Sequence, residues 1–193
     1  TAGLKSSLIS EQEKTINRHT LNLINHLDII LFVVDGRMGV TFEDKEIFQV
    51  CRKLDKPTIL VVNKVETSVI EKRFFEEDIN FFGLPNIIFV SSEHRLGIEK
   101  VFTALEEICQ ENQLESIVKE QSNTEKKPIN IAIIGRPNVG KSTLVNAIIK
   151  EKRFVTGPEA GLTRDSNFVF FYWDNDFFKI YDTAGARKKR KID

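Results

Sequence analysis

Nothing in this chain is long and apolar enough to cross a bilayer as a helix. No hydrophobic run approaches the ~20 residues required, and no signal peptide is present. Net charge is missing as well: 28 Lys and Arg balance 28 Asp and Glu. No global field therefore favours DNA, RNA or a membrane surface, and only a local basic patch can do so. Cysteine is scarce. Cys51 and Cys109 lie far apart, which fits reduced structural thiols in a cytoplasmic protein rather than a disulfide framework. His19, His26 and His94 have neither metal-ligand spacing nor a nucleophile partner. What is present is ordinary globular composition, 41% hydrophobic and 29% charged, enough for one large or two small domains. The 15 phenylalanines fall at core spacing and read as core rather than as stacking platforms for nucleic acid.

Apolar runs alternate with amphipathic stretches. Strands are predicted at 29–34, 58–62 and 86–90, each an uninterrupted apolar run of the kind buried on both faces of a parallel sheet. Helices are predicted at 10–27, 42–54, 69–82 and 98–111. Residues 111–128 break the rhythm: the segment is polar, charged and closed by Pro128, and reads as a linker. A second unit follows, with a strand at 129–134, a helix at 142–150, and a hairpin of 167–173 and 177–181 around Asp174-Asn175-Asp176. This rhythm predicts an α/β fold, parallel-rich with helices on both faces. The expected organisation is 1–110, a linker at 111–128, and 129–193. The first residue is Thr1 and the last is Asp193, and both ends are expected to be cuts in a longer chain.

The most specific chemistry follows the strand at 129–134. Gly135, Arg136, Pro137, Asn138, Val139, Gly140, Lys141, Ser142 and Thr143 form a complete P-loop between a strand and a helix. Its glycines let backbone N–H groups curl around phosphate, Lys141 reaches the β- and γ-phosphates, and the Ser142 hydroxyl is placed for magnesium. The helix N-terminus adds to the anion site. Asp182, Thr183, Ala184 and Gly185 follow the last strand. There the Asp holds magnesium through water and the Gly N–H meets a γ-phosphate. Thr163, in the loop between these motifs, is placed to close onto the magnesium.

In the first unit Asn63, Lys64, Val65 and Glu66 end a strand. A carboxylate there accepts from the N1–H and exocyclic amine of guanine, a donor pair that adenine lacks, while Asn63 and the Lys64 stem frame the base. Ser91 and Ser92, at the next strand end, are expected to offer backbone donors to the guanine carbonyl. Ligand loops gather at the carboxyl ends of parallel strands. These base motifs precede the P-loop, which leaves a circularly permuted domain or two successive partial domains. Thr1, Ala2, Gly3 and Leu4 repeat the pattern of Thr183, Ala184, Gly185 and Ala186, and a second copy favours the tandem reading.

With these motifs the chain resembles a bacterial tandem-G-domain GTPase of the EngA/Der type. The likeness rests on residues 1–4, 28–40, 62–66, 91–98, 131–147, 158–165 and 181–192. It implies two partial Ras-like G domains of the P-loop NTPase class that bind GTP or GDP with magnesium and hydrolyse GTP in assembly of the large ribosomal subunit. Precursor particles and rRNA would be the partners. It also implies a potassium ion held partly by Asn138, although the residues alone read Asn138 equally as a turn residue. Leu4 and Ala186 stand where many GTPases carry a water-orienting Gln. Glu66 replaces the more usual Asp, and Arg95 stands where the family often has Gly. The basic run 187–191 reads equally as an RNA or interdomain contact and as a solvated face. Other readings are a single permuted GTPase, a nucleotide-binding scaffold without turnover, and an ATPase. The tandem reading expects weak GTP binding and little activity from this chain alone, because neither site is whole.

Overall fold

The computed structural model describes residues 26–77, 79–115, 127–151, 168–173 and 176–182. Nearly all of the expected helix at 10–27 lies outside them. So do Thr1, Ala2, Gly3, Leu4, Thr163, Thr183, Ala184, Gly185, Ala186 and the basic run 187–191.

The described elements are β1 (Ile29–Asp35), α1 (Phe42–Arg52), β2 (Thr58–Asn63), α2 (Ser68–Glu77), a 3-10 turn (Ile79–Phe81), β3 (Ile87–Phe89), α3 (Ile98–Glu111), β4 (Ile129–Ile134), α4 (Lys141–Glu151), β5 (Phe168–Trp173) and β6 (Asp176–Asp182). The predicted strands are all present within two residues of their expected ends. The predicted helix at 69–82 stops early, and the tighter turn after it brings Phe81 and Phe82 both against Phe48, at ring separations of 6.2 and 4.8 Å.

All strands join one six-stranded sheet in the order β3-β2-β1-β4-β6-β5. Pairing is parallel throughout except for the antiparallel β5–β6 hairpin. The parts before and after the expected linker are therefore not separate sheets here. They meet at the centre, where Ile29, Ile30, Leu31 and Phe32 pair with Ile131, Ala132, Ile133 and Ile134. The physical reason is that β1 is apolar on both faces and every one of its residues is buried. Such a strand needs a neighbour on each side and a layer on each face. The second segment supplies the missing neighbour.

Side chains alternate between two cores. On one face β1 and β4 contribute Ile29, Leu31, Ile131 and Ile133, covered by α3 and α4 through Phe102, Leu105, Leu144 and Ile148. On the other, Ile30, Phe32, Ala132 and Ile134 meet α1 and α2 through Phe48, Cys51 and Phe74. Phe102 of the first segment stacks on Trp173 of the second with ring centroids 4.0 Å apart, and Trp173 Nε1 donates to Glu106. Both cysteines are free and buried, as expected, and burial pushes each thiol up to about 12. The phenylalanines are core at Phe32, Phe48, Phe74, Phe102 and Phe178, but Phe42 and Phe75 face solvent, against the expectation for the set. Among the described residues no helix is long and apolar enough to cross a membrane.

A sheet shared by both segments must unfold as a unit. Ile131→Ala at the central seam is expected to lower the unfolding free energy by about 2–5 kcal/mol, the range for deleting a buried aliphatic side chain. Trp173 fluorescence and far-ultraviolet ellipticity should then report one coincident, shifted transition. Two resolved transitions would show that the segments fold separately.

Candidate functional site

Parallel pairing sets the carboxyl ends of β2, β1 and β4 side by side, so three loops converge. They begin at Asp35, Asn63 and Gly135. Backbone bonds fix two of them to each other and to the next loop: Gly36 N–H donates to Asn63 O at 2.7 Å, and Val65 N–H donates to Val90 O at 2.9 Å.

The P-loop is built as its glycines require. Gly135 has φ +156° and Gly140 has φ +98°, and a Cβ at either would collide, with the Val33 carbonyl oxygen and with Asn63 Nδ2 respectively. Only glycine keeps the loop closed against its neighbours. Asn138, at φ +65°, occupies the left-handed region where Asn is among the better-tolerated residues, which supports its reading as a turn residue. The Lys141 ammonium donates to Gly135 O at 2.7 Å and Arg136 O at 2.6 Å. It is thus held across the mouth of the loop, beside the start of α4. A glycine-only cradle, a captive ammonium and a helix N-terminus together fit a phosphate.

The first segment closes on this loop. Asn63 is buried, and its Nδ2 donates to Val139 O at 2.8 Å. Its Oδ1 accepts from the Ser92 N–H at 3.0 Å and from the Ser92 hydroxyl at 2.9 Å. Lys64 donates to Asp35 Oδ2 at 2.7 Å and to Asn138 O at 2.8 Å. The Asn63 amide stitches the P-loop to the Ser92 loop. The Ser91 and Ser92 N–H groups donate to Leu96 O and to Asn63 Oδ1. Glu66 stands at the rim, where Oε1 accepts from the Ser91 hydroxyl at 3.1 Å and Oε2 from Arg37 at 3.0 Å. Arg95 adopts φ +57°, a conformation that suits Gly better than Arg.

Four residues of the site escaped sequence reasoning: Asp35, Arg37, Asp44 and Arg73. Asp35 Oδ1 accepts from the Arg37 and Met38 N–H groups at 2.9 and 3.3 Å. Burial pushes the Asp35 carboxyl up, but the Lys64 hydrogen bond and charge, aided by those two N–H groups, outweigh it and leave the group below its ordinary value. Asp44, fully buried on α1, accepts through Oδ2 from the Thr41 N–H at 3.0 Å, the Thr41 hydroxyl at 2.7 Å and Arg136 Nε at 3.2 Å. Its Oδ1 has no hydrogen-bond partner among the described residues. The Thr-x-x-Asp spacing signals a capping box, but nothing in the sequence signals that the box also grips the P-loop. Ser142 lies at the start of α4. Asp182 ends β6 beside β4, and its side chain is not among the described ones. Among the described residues no cluster of His, Cys, Asp or Glu is set to hold a metal by itself.

Two outcomes follow. Arg136→Ala would leave the buried Asp44 side chain without its cationic partner, with only the Thr41 donors on Oδ2. Loss of one partner of such a pair costs about 3–5 kcal/mol, to be read by denaturant unfolding, with Arg136→Lys recovering part. The depressed Asp35 carboxyl stabilises the fold above its unfolded value of 3.8. That contribution is lost as pH falls through the lower folded value. Asp35→Asn should therefore flatten the stability profile below about pH 4, measured by thermal unfolding across pH.

The chain matches known proteins in sequence. The family model described as 50S ribosome-binding GTPase matches residues 1–64 and 130–193. GTPase Der of Jannaschia sp. (strain CCS1) is 36% identical over 200 residues, covering 100% of this chain and 41% of the relative. GTPase Der of Azorhizobium caulinodans is 37% identical over 200 residues, covering 100% of this chain and 43% of the relative. The chain thus spans less than half the length of the curated relatives it matches. Among solved structures, YjeQ from Thermotoga maritima aligns over 81% of this chain and 47% of its own, with a TM-score of 0.48 and 20% identity. By its match to the family model, over both the P-loop segment and the segment that ends at Asn63 and Lys64, the chain belongs to the 50S ribosome-binding GTPase family.

Proposed function

We propose that this chain binds one guanine nucleotide with magnesium at a composite site and hydrolyses GTP there. The P-loop comes from the second segment and the base-reading loops from the first. The observation that carries the proposal is the bond from Asn63 Nδ2 to Val139 O at 2.8 Å, which joins the two motifs through a buried side chain. The match of one family model to both segments supports a second part of the proposal. In a longer protein the segments would belong to successive modules, divided at 111–128, and in this chain they complete each other.

Lys141 exchanges its two carbonyl partners for phosphate oxygens, the stronger acceptors because they are charged. Ser142, Thr163 and Asp182 are the residues to hold magnesium, which when bound neutralises charge developing on the phosphates. Gly185 is the sensor of the γ-phosphate, and its loop reorders on hydrolysis. Among the described residues no side chain of the site is a convincing general base, and Leu4 and Ala186 are apolar and cannot orient water. Catalysis here is positioning and electrostatics, with Asn138 the residue to share a potassium ion. The output is a nucleotide-dependent switch that docks on the precursor of the large ribosomal subunit and its rRNA in the cytoplasm.

Calorimetric titration of this chain with GTP, GDP and ATP is expected to give one guanine nucleotide per chain and no measurable ATP binding. Lys141→Ala should weaken GDP roughly 10- to 100-fold, the scale of a lost charge-assisted hydrogen bond. Phosphate release in potassium compared with sodium then tests turnover. Tight nucleotide binding that survives Asn63→Ala unchanged would refute the composite site, and binding without phosphate release would leave a scaffold.

A further inference from the structure

Resting on the guanine reading of Glu66, we infer that Arg37 competes with the base for that carboxylate and so sets guanine affinity from within the site. Glu66 Oε2 receives both Nε and one terminal nitrogen of Arg37 at 3.0 Å. Its other oxygen receives the Ser91 hydroxyl at 3.1 Å. A guanidinium presents adjacent, coplanar N–H groups, and so does the edge of guanine at N1–H and its exocyclic amine. The two are rival donors of one shape for one acceptor. A carboxylate oxygen can take more than one donor, but two cationic N–H groups already crowd Oε2, so the base edge and the arginine fork exclude each other there.

The surroundings of Arg37 suit an arm that swings. Its backbone is held on three sides: its N–H donates to Asp35 Oδ1 at 2.9 Å, and Arg73 of α2 donates to Gly36 O at 2.9 Å and to Arg37 O at 2.7 Å. Its side chain is 54% exposed, whereas Glu66 is only 19% exposed. The anchor is rigid, the acceptor is sheltered, and only the arm is free to leave. A half-exposed ion pair is weak, so the base can displace the arm at small cost. The energetic consequence is a modest tax on every ligand that needs Glu66 and none on a ligand that does not.

The test is base-resolved affinity in Arg37→Ala and Arg37→Lys, by displacement of a fluorescent guanosine diphosphate from this chain. Arg37→Ala is expected to tighten GDP roughly two- to fivefold, matching loss of a weak ion pair. Inosine diphosphate, which lacks the exocyclic amine, should gain less, and adenosine diphosphate should gain nothing. Arg37→Lys, charged but without the planar fork, should fall between wild type and Ala. Because Arg37 is half exposed, thermal unfolding of both variants should match wild type, which separates competition from damage to the fold. Unchanged or weaker GDP binding in Arg37→Ala would overturn the inference, since Arg37 would then orient Glu66 rather than oppose the base. An equal gain for the adenine nucleotide would overturn it too. Failure of the wild-type chain to prefer guanine over adenine would instead overturn the reading of Glu66 itself, and this inference with it.

Discussion

The parallel pairing of β1 with β4 is the constraint on which the rest depends. It is made by four consecutive residue pairs, Ile29 to Ile131 through Phe32 to Ile134, with the edge bonds between Asp28 and Asn130 closing its start. Its register decides more than stability. A shift by one residue would turn every β4 side chain to the opposite face, taking Ile131 and Ile133 away from α3 and α4. The same shift would move Gly135 along the strand and out of reach of Val33, on whose carbonyl oxygen it packs so closely that a Cβ has no room. Core packing and site assembly therefore select one register. The hydrophobic faces and the phosphate loop cannot be satisfied separately.

At the ligand end the same seam is read by one polar side chain. Asn63 is buried at the end of β2, two strands away from β4, yet its amide spans the gap to Val139 on one side and Ser92 on the other. A buried amide left unpaired costs about 1–3 kcal/mol, so Asn63 tolerates only an arrangement in which both loops are present. Gly140 answers the same demand from the other side, since a methyl group there would strike the Asn63 amide nitrogen. Two residues from motifs far apart in the chain thus have complementary shapes. This complementarity between a small residue and a polar one explains why the segments close one site even though neither carries all of it.

The sequence made the elements readable because apolar runs such as 29–34 and 129–134 admit few other conformations, and because the P-loop pattern specifies its own backbone. It did not reveal that Asn63 and Ser92 also tie the loops together, because those bonds are visible only when Leu96, Val139 and Asn63 lie within reach. Asp44 and Arg37 were invisible for a related reason. Each acts across sequence separations of 92 and 29 residues, and no local pattern encodes a partner that distant. The shared sheet was legible only as an alternative, since periodicity states that β1 needs neighbours without naming them. Thr163 and Gly185, the expected magnesium and γ-phosphate residues, lie outside the described residues.

The electrostatics of the site follow from where its anions are placed. Three of its cations are each set against a carboxylate of the first segment: Lys64 against Asp35, Arg136 against Asp44, and Arg37 against Glu66. The pairs differ in burial, and burial decides what each can do. Arg136 and Asp44 are enclosed, so their separation is costly and the pair acts as a fixed support beneath the P-loop. Lys64 and Asp35 are intermediate, and the second bond from Lys64 to Asn138 makes that pair a strut between segments. Arg37 and Glu66 lie at the rim, where solvent screens the attraction and exchange is cheap. Rigidity thus falls from the P-loop to the rim at Glu66. A site graded in this way keeps the P-loop fixed and leaves the rim as the part that can move at least expense.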